Sequence, residues 1–306
     1  MELIRHCTSG TNFATGKTGS PYDFTCRSIY RNPRRVSNGK PLSAIAMIRD
    51  EYDKVSAILG RTKPEEIHEF GIVNNEWGNE TFEPGAYGAA WTFSTLMGLY
   101  SEGLTKIQHW VPFEDFKTTP FNLILGEYWP YMILDYMLEG DTYKLVSPPD
   151  SAAGTQYDAY VVDKGNKKYI LLSASNNSRN TTDLRTITLD VSDEVFKIAD
   201  KPVIKEVKLT TENSLYDIIR KDLASEGLLL KPWTTQPGAV DWVQKMAGPA
   251  GEEYVMKNFE KKYRKIFEDS LTLMPFEGTY SKTSAGSQFS VTITNPTVMA
   301  LEITAP

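Results

Sequence analysis

The sequence holds only two cysteines, Cys7 and Cys26, and three histidines, His6, His68 and His109, among 306 residues. Two cysteines make neither a disulfide framework nor a zinc cluster, and the histidines lack ligand-like spacing. Long apolar runs are missing as well, since no stretch approaches the roughly 18 residues of a membrane span. The opening run "MELIRHCTSGTNF" lacks the basic start and apolar centre of a signal peptide. Localisation therefore stays open between a cytoplasmic product, on a literal reading, and a secreted or periplasmic one whose leader lies on an upstream segment. Positive charge is not in excess. Lys and Arg number 33 against 39 Asp and Glu, a net charge of −6, so no global field draws the chain to nucleic acid or to an anionic membrane.

What remains is an ordinary globular composition, 41% hydrophobic and 24% charged, long enough to bury a full core. Aromatic residues (Trp 6, Tyr 16, Phe 13) often stand beside polar ones, which suits sugar stacking as well as packing.

Along the first 142 residues, strand-like and helix-like runs alternate. "ELIRHC" and "YDFTCRSIY" have strand character, and "PLSAIAMIRDEYDKVSAIL" has helical spacing. The strand "IHEFGIV" precedes a buried helix, "PGAYGAAWTFSTLMGLYSEG", stopped at Gly103. Then come the strand "KIQHWV" and a helix, "LILGEYWPYMILDYML", begun or interrupted at Pro130. This order predicts parallel strands with helices outside them. Near residue 147 the paired prolines and small residues of "SPPDSAAG" mark a boundary. Beyond it, "YDAYVVD", "KYILLSAS", "RTITLDV", "VIKEVKLT", "FSVTIT" and "TVMALEIT" predict an antiparallel β-sandwich. One charged helix, "GEEYVMKNFEKKYRKIFEDS", interrupts it. Two domains result, 1–142 and 143–306.

The stretch "EFGIVNNEWGNETF" ends an apolar strand on Asn75, Glu76 and Trp77. In a parallel α/β barrel, strand C-termini converge on one face and form the active site. The next strand ends at His109 and Trp110, with Glu114 and Asp115 close behind. An ionised carboxylate in a polar, aromatic-walled pocket is what retaining glycoside hydrolysis requires. Glu76 is thus the candidate nucleophile, set against the alternative of an exposed loop acid. Glu114 and Asp115 stand between a site role and a solvated loop, and Tyr30 between pocket lining and packing. Arg27 stands between binding a substrate carboxylate and a surface ion pair, and His6 and His109 fit hydrogen-bonded strand ends.

Taken together, "GSPYDFTCRSIY", "HEFGIVNNEWGN", "AYGAAW" and "IQHWVPFEDF" resemble the second half of a clan A glycoside hydrolase. Family 39, the β-xylosidase and α-L-iduronidase family, is the nearest in pattern. The resemblance implies a partial TIM barrel, strands five to eight, followed by a β-sandwich. It implies Glu76 as nucleophile, with Asn75, Trp77, Tyr30, Trp110, Glu114 and Asp115 around the sugar, and no metal or organic cofactor. Asp23 and Phe24 match the start of the sixth strand. Ser28 stands where the pattern has a histidine, and the strand that carries the general acid/base has no counterpart. Four barrel-type strands, around Ile4, Phe24, Ile72 and Ile107, imply a truncated enzyme that needs an N-terminal barrel half or a second copy. The implied substrate is an oligo- or polysaccharide, with xylosides, uronic-acid glycans and algal galactans all open. The alternative is a non-catalytic glycan-binding or structural module derived from such an enzyme.

Overall fold

The computed structural model describes residues 2–31, 36–37, 40–41, 53–60, 65–72, 85–101, 103–104, 106–109, 126–145, 155–175, 184–230 and 242–306. The chain divides into two compact units, Met1–Val73 with Thr95–Trp110, and Asn74–Ser94 with Val111–Pro306.

The first unit opens with helix α1 (Glu2–Ser9). "ELIRHC" is therefore a helix and not a strand, and His6 is no strand-end residue. Leu3, Ile4 and Cys7 fall at three- and four-residue spacing, which a short run cannot distinguish from strand alternation. The helix has no buried residue, and Leu3 remains 73% exposed. Strands β1 (Thr25–Arg31), β4 (Glu65–Ile72) and β5 (Ile107–His109) form a parallel sheet in the order β1-β4-β5. The expected four barrel strands are thus three among the described residues, and no closed barrel is seen there. A small antiparallel pair, β2 (Val36–Ser37) with β3 (Lys40–Pro41), and the helical residues 53–59, here α2, lie between β1 and β4 in the chain. Central strand β4 seats Ile67 and Phe70 at 0% exposure despite carrying Glu65, Glu66, His68 and Glu69.

Helix α3 (Ala86–Ser101) supplies the crossover that parallel pairing of β4 and β5 demands. Ala86, Ala89, Ala90, Trp91, Phe93, Met97 and Leu99 are all buried, so the helix is apolar around most of its circumference. It ends at the expected glycine. Gly103, at φ 84°, donates its N–H to Tyr100, while Leu104 donates to Leu99, the paired bonds of a Schellman cap.

In the second unit, helix α4 (Trp129–Asp135) precedes the short strand β6 (Asp141–Lys144). Strands β7 (Gln156–Lys164), β8 (Lys167–Ser175), β9 (Leu184–Ser192) and β10 (Val203–Thr210) fall where the alternation predicts them. Helices α5 (Leu215–Ser225), α6 (Trp242–Asn258) and α7 (Arg264–Ser270) follow, α6 being kinked at Gly248–Pro249 and joined to α7 by the π-helical turn Phe259–Tyr263. Strands β11 (Met274–Pro275), β12 (Thr279–Lys282), β13 (Gly286–Thr294) and β14 (Thr297–Thr304) complete it. The sheet β11-β10-β14-β8-β7-β6 faces the sheet β12-β13-β9, and their shared core includes Tyr157, Leu172, Leu189, Phe289 and Leu301.

Burial explains why the two sheets differ in pattern. In β9, Ile187, Leu189 and Val191 alternate with exposed Thr186, Thr188 and Asp190, as suits one solvated face. In β7, every residue from Tyr157 to Val162 is buried. Helices cover this sheet's second face: Phe93 of α3 packs edge-on to Tyr160 of β7, and Tyr136, just after α4, stacks on Tyr169 of β8 at 4.8 Å. The expectation of one inserted helix is corrected here. Besides the kinked α6–α7 segment, α5 contributes Leu215, Tyr216, Ile219 and Leu223 to a separate helical core. Its sequence, "SLYDIIRKDLAS", is half polar and lies among strands, which hid it.

Candidate functional site

The three parallel strands bring their C-terminal ends to one edge. Tyr30 lies opposite Gly71, Arg31 opposite Ile72, and Phe70 opposite His109. The chain continues from β4 into residues 73–84 and from β5 into residues 110–125. Asn75, Glu76, Trp77, Trp110, Glu114 and Asp115 all belong to those two segments and lie outside the described residues. Of the expected site, the structure thus describes the platform and Tyr30's place in β1.

That platform is apolar at its edge and charged further down. Phe70 and His109 stack at 4.4 Å with an interplanar angle of 19°. Burial lowers the His109 pKa to about 4, so the imidazole is neutral at neutral pH and offers an aromatic face rather than a cation. Ser28 donates its hydroxyl to Glu69 Oε2 at 3.0 Å. Arg27 forms an ion pair with Glu65, but both side chains are largely buried, so the pair is not the surface one expected. Glu66 accepts from Lys106 Nζ at 2.7 Å and meets His68 Nε2 at 2.8 Å. Hydrogen bonds from His68 and Lys106, led by the former, lower the Glu66 pKa. Of these contacts, Arg27–Glu65 and Ser28–Glu69 run between β1 and β4, and Lys106–Glu66 runs from the residue before β5 to β4.

Both cysteines are free thiols, and among the described residues no cluster of His, Cys, Asp or Glu could hold a metal ion. Nor is any described helix long and apolar enough to cross a membrane.

The far flank of the Glu76-bearing segment is anchored by a residue that the sequence did not single out. Asp217, in the first turn of α5, accepts the N–H of Ala86, the first residue of α3, at 2.9 Å. Ser214 caps α5 by accepting from the Asp217 N–H. Burial raises the Asp217 pKa, opposed by its bonds to Ala86 and Ser214 and by the charge of Arg220. Eight residues further along α3, Ser94 donates to buried Asp158 of β7, which also accepts from Gln156 Nε2 at 2.8 Å. The Ser-x-x-Asp spacing is legible as a capping signal. Its reach to a helix start 131 residues earlier is not.

The described residues combine a parallel three-stranded sheet and its crossover helix with antiparallel sheets that pack as a sandwich. The chain is similar to the solved structure of the bacterial orthologue of human α-L-iduronidase, with a TM-score of 0.54 and 12% identity, covering 99% of this chain and 52% of that one. It is similar also to a monomeric β-xylosidase from Caulobacter crescentus CB15, with a TM-score of 0.52 and 12% identity, covering 94% of this chain and 56% of that one. The chain spans about half the length of the solved structures it matches. At this identity the likeness is one of fold. No protein-family model and no curated protein sequence matches the chain.

Proposed function

We propose that the protein is a retaining glycoside hydrolase in which Glu76 is the nucleophile. Residues 1–142 supply a barrel-like catalytic portion and residues 143–306 an accessory sandwich. One observation carries the reading: Glu76 follows the C-terminal end of β4, the central strand of the parallel sheet, within a fold shared with two glycoside-acting enzymes. A Glu76 carboxylate oxygen attacks the anomeric carbon and the glycosidic oxygen departs with a proton from a second carboxyl group, for which Glu114 and Asp115 are the candidates in this chain. Water then attacks the glycosyl ester and returns the carboxylate. Asn75, Trp77, Tyr30 and Trp110 line the sugar, and xylosides and uronic-acid glycans are the first substrates to test.

A mechanism-based probe tests the nucleophile alone. With 2-deoxy-2-fluoro-β-D-xylosyl fluoride, or the corresponding uronosyl fluoride, a Glu76 oxygen displaces fluoride ion and forms a glycosyl ester that is slow to hydrolyse. Fluoride needs no proton to leave, so the acid is not required. Peptide mapping should place the added mass on residues 73–84 and lose it in Glu76→Gln. Azide should restore turnover to Glu76→Gly. Labelling unchanged in Glu76→Gln would exclude the assignment.

The second reading, a glycan-binding module without turnover, draws on Ser28, whose hydroxyl is committed to Glu69 where the family pattern has histidine. Its signature is saturable binding of xylo- or uronic-acid oligosaccharides with no covalent label.

A further inference from the structure

The central strand β4 carries one residue more than either neighbour. Arg27 lies opposite Ile67 but Ser28 lies opposite Glu69, and on the other flank Ile107 lies opposite Ile67 while His109 lies opposite Phe70. The register skips His68. A shift of this kind re-aims a side chain, and the His68 side chain emerges at 40% exposure although Ile67 and Phe70 near it are at 0%.

The emerging imidazole is held from one side. Glu66 Oε2 lies 2.8 Å from His68 Nε2, and Glu66 Oε1 accepts from Lys106 Nζ at 2.7 Å. Those hydrogen bonds, that of His68 first, lower the Glu66 pKa, so the carboxylate is ionised and only accepts. Nε2 therefore carries the proton, and the lone pair of the neutral ring falls on Nδ1. Among the described residues no cluster of His, Cys, Asp or Glu could hold a metal ion, which leaves that lone pair to a hydrogen-bond donor. Phe24, 42% exposed, lies beside the imidazole with 5.9 Å between ring centroids and 50° between planes. Lys106 cancels the charge of Glu66, so the pair does not select an ionic ligand.

We propose that Phe24 and His68 form a binding site for an uncharged saccharide. The apolar face of a pyranose ring stacks on Phe24, and a hydroxyl of that ring donates to His68 Nδ1. Glu66 is a positioning residue: it fixes the tautomer and the plane of the imidazole, as a carboxylate does for a metal-bound histidine. One stacked face and one hydrogen bond give a dissociation constant on the order of 1 mM. The site is built from described residues and does not depend on the chemistry of Glu76.

The experiment titrates the isotope-labelled 306-residue chain with xylotetraose and, in a second arm, cellotetraose, and follows the His68 ring nitrogens by proton–nitrogen correlation. The free chain should show the Nε2–H tautomer, and at least one sugar should shift Nδ1 saturably. Phe24→Ala should weaken that binding about 2- to 10-fold, read at His68. His68→Leu should weaken it by a similar factor, about 2- to 10-fold, read at the Phe24 ring protons. Phe24→Leu keeps apolar bulk without a flat face and should weaken binding likewise, which keeps the test open if Phe24→Ala folds poorly. Glycerol, with hydroxyls but no ring to stack, should move neither signal. An Nδ1–H tautomer in the free chain, no shift with either sugar up to about 20 mM, or an equal response to glycerol would each overturn the site. A chain that takes no covalent fluorosugar label yet shifts at His68 would lose the Glu76 assignment and keep this site, and the opposite pair of results would do the reverse.

Discussion

His109, at the end of β5, is a titratable ring whose burial lowers its pKa. Between the usual histidine pKa of 6.5 and its folded value of about 4, the native chain binds fewer protons at this ring than the unfolded chain does. The associated stability is therefore fully present above about pH 6.5 and is lost as pH falls towards 4. At pH 4.5 the loss amounts to about 2 kcal/mol. His109→Phe keeps a ring against Phe70 and removes the titration. Urea melts at pH 7 and pH 4.5 should show a fall smaller by about that amount in the variant; equal falls would contradict the assignment. The sequence displayed His109, Ser28 and Arg27 as candidates, but their partners lie on neighbouring strands. Ser28 meets Glu69 and Arg27 meets Glu65 only because β1 and β4 pair in one register. Spacing along one strand carries no such information.

At the scale of elements, long periodic segments were legible and short or polar ones were not. The β7–β10 strands and helix α3 fall where alternation, apolar run length and the glycine stop put them, because burial dictates those patterns. The run Glu2–Ser9 misled because it buries nothing, so no core constrains its spacing. Helix α5 was missed because its buried stripe is interleaved with charge. Gly103 gives this scale a quantitative check. Its φ of 84° lies where an L side chain is disfavoured, and its N–H closes the α3 cap. Gly103→Ala should lower the urea midpoint by the equivalent of about 1 kcal/mol, with an unchanged slope. No shift would mean that the cap contributes nothing to cooperative stability.

For the whole molecule, the antiparallel pairing of the sandwich begins with β6 (Asp141–Lys144), ahead of the composition change near residue 147. What that change could not signal is that residues 74–94 group with the sandwich, since that grouping depends on Asp158 and Asp217 meeting Ser94 and Ala86 in space. The run "SPPDSAAG" has the composition of an easily cut linker. A single cut there should nonetheless leave the two pieces together. Strand β6 stays paired with β7, Trp129 Nε1 still donates to the Ser270 carbonyl, and the α3 anchors persist. Gel filtration of nicked protein should give one peak containing both fragments, which separate only in denaturant. Spontaneous release of a folded fragment starting near residue 155 would show that these contacts are weak.

The Ala86–Asp217 hydrogen bond also sets an order of events during synthesis. At roughly 5–20 residues per second, a ribosome needs about 7 to 26 s to advance the 131 residues from one partner to the other. Throughout that interval α3 has neither its capping oxygen nor the Asp158 anchor for its first half. The nascent chain then carries a helix that is apolar around most of its circumference, a surface suited to chaperone capture. Translation slowed between codons 158 and 217 would prolong that exposure and lower soluble yield, and co-expressed holdase chaperones would restore it.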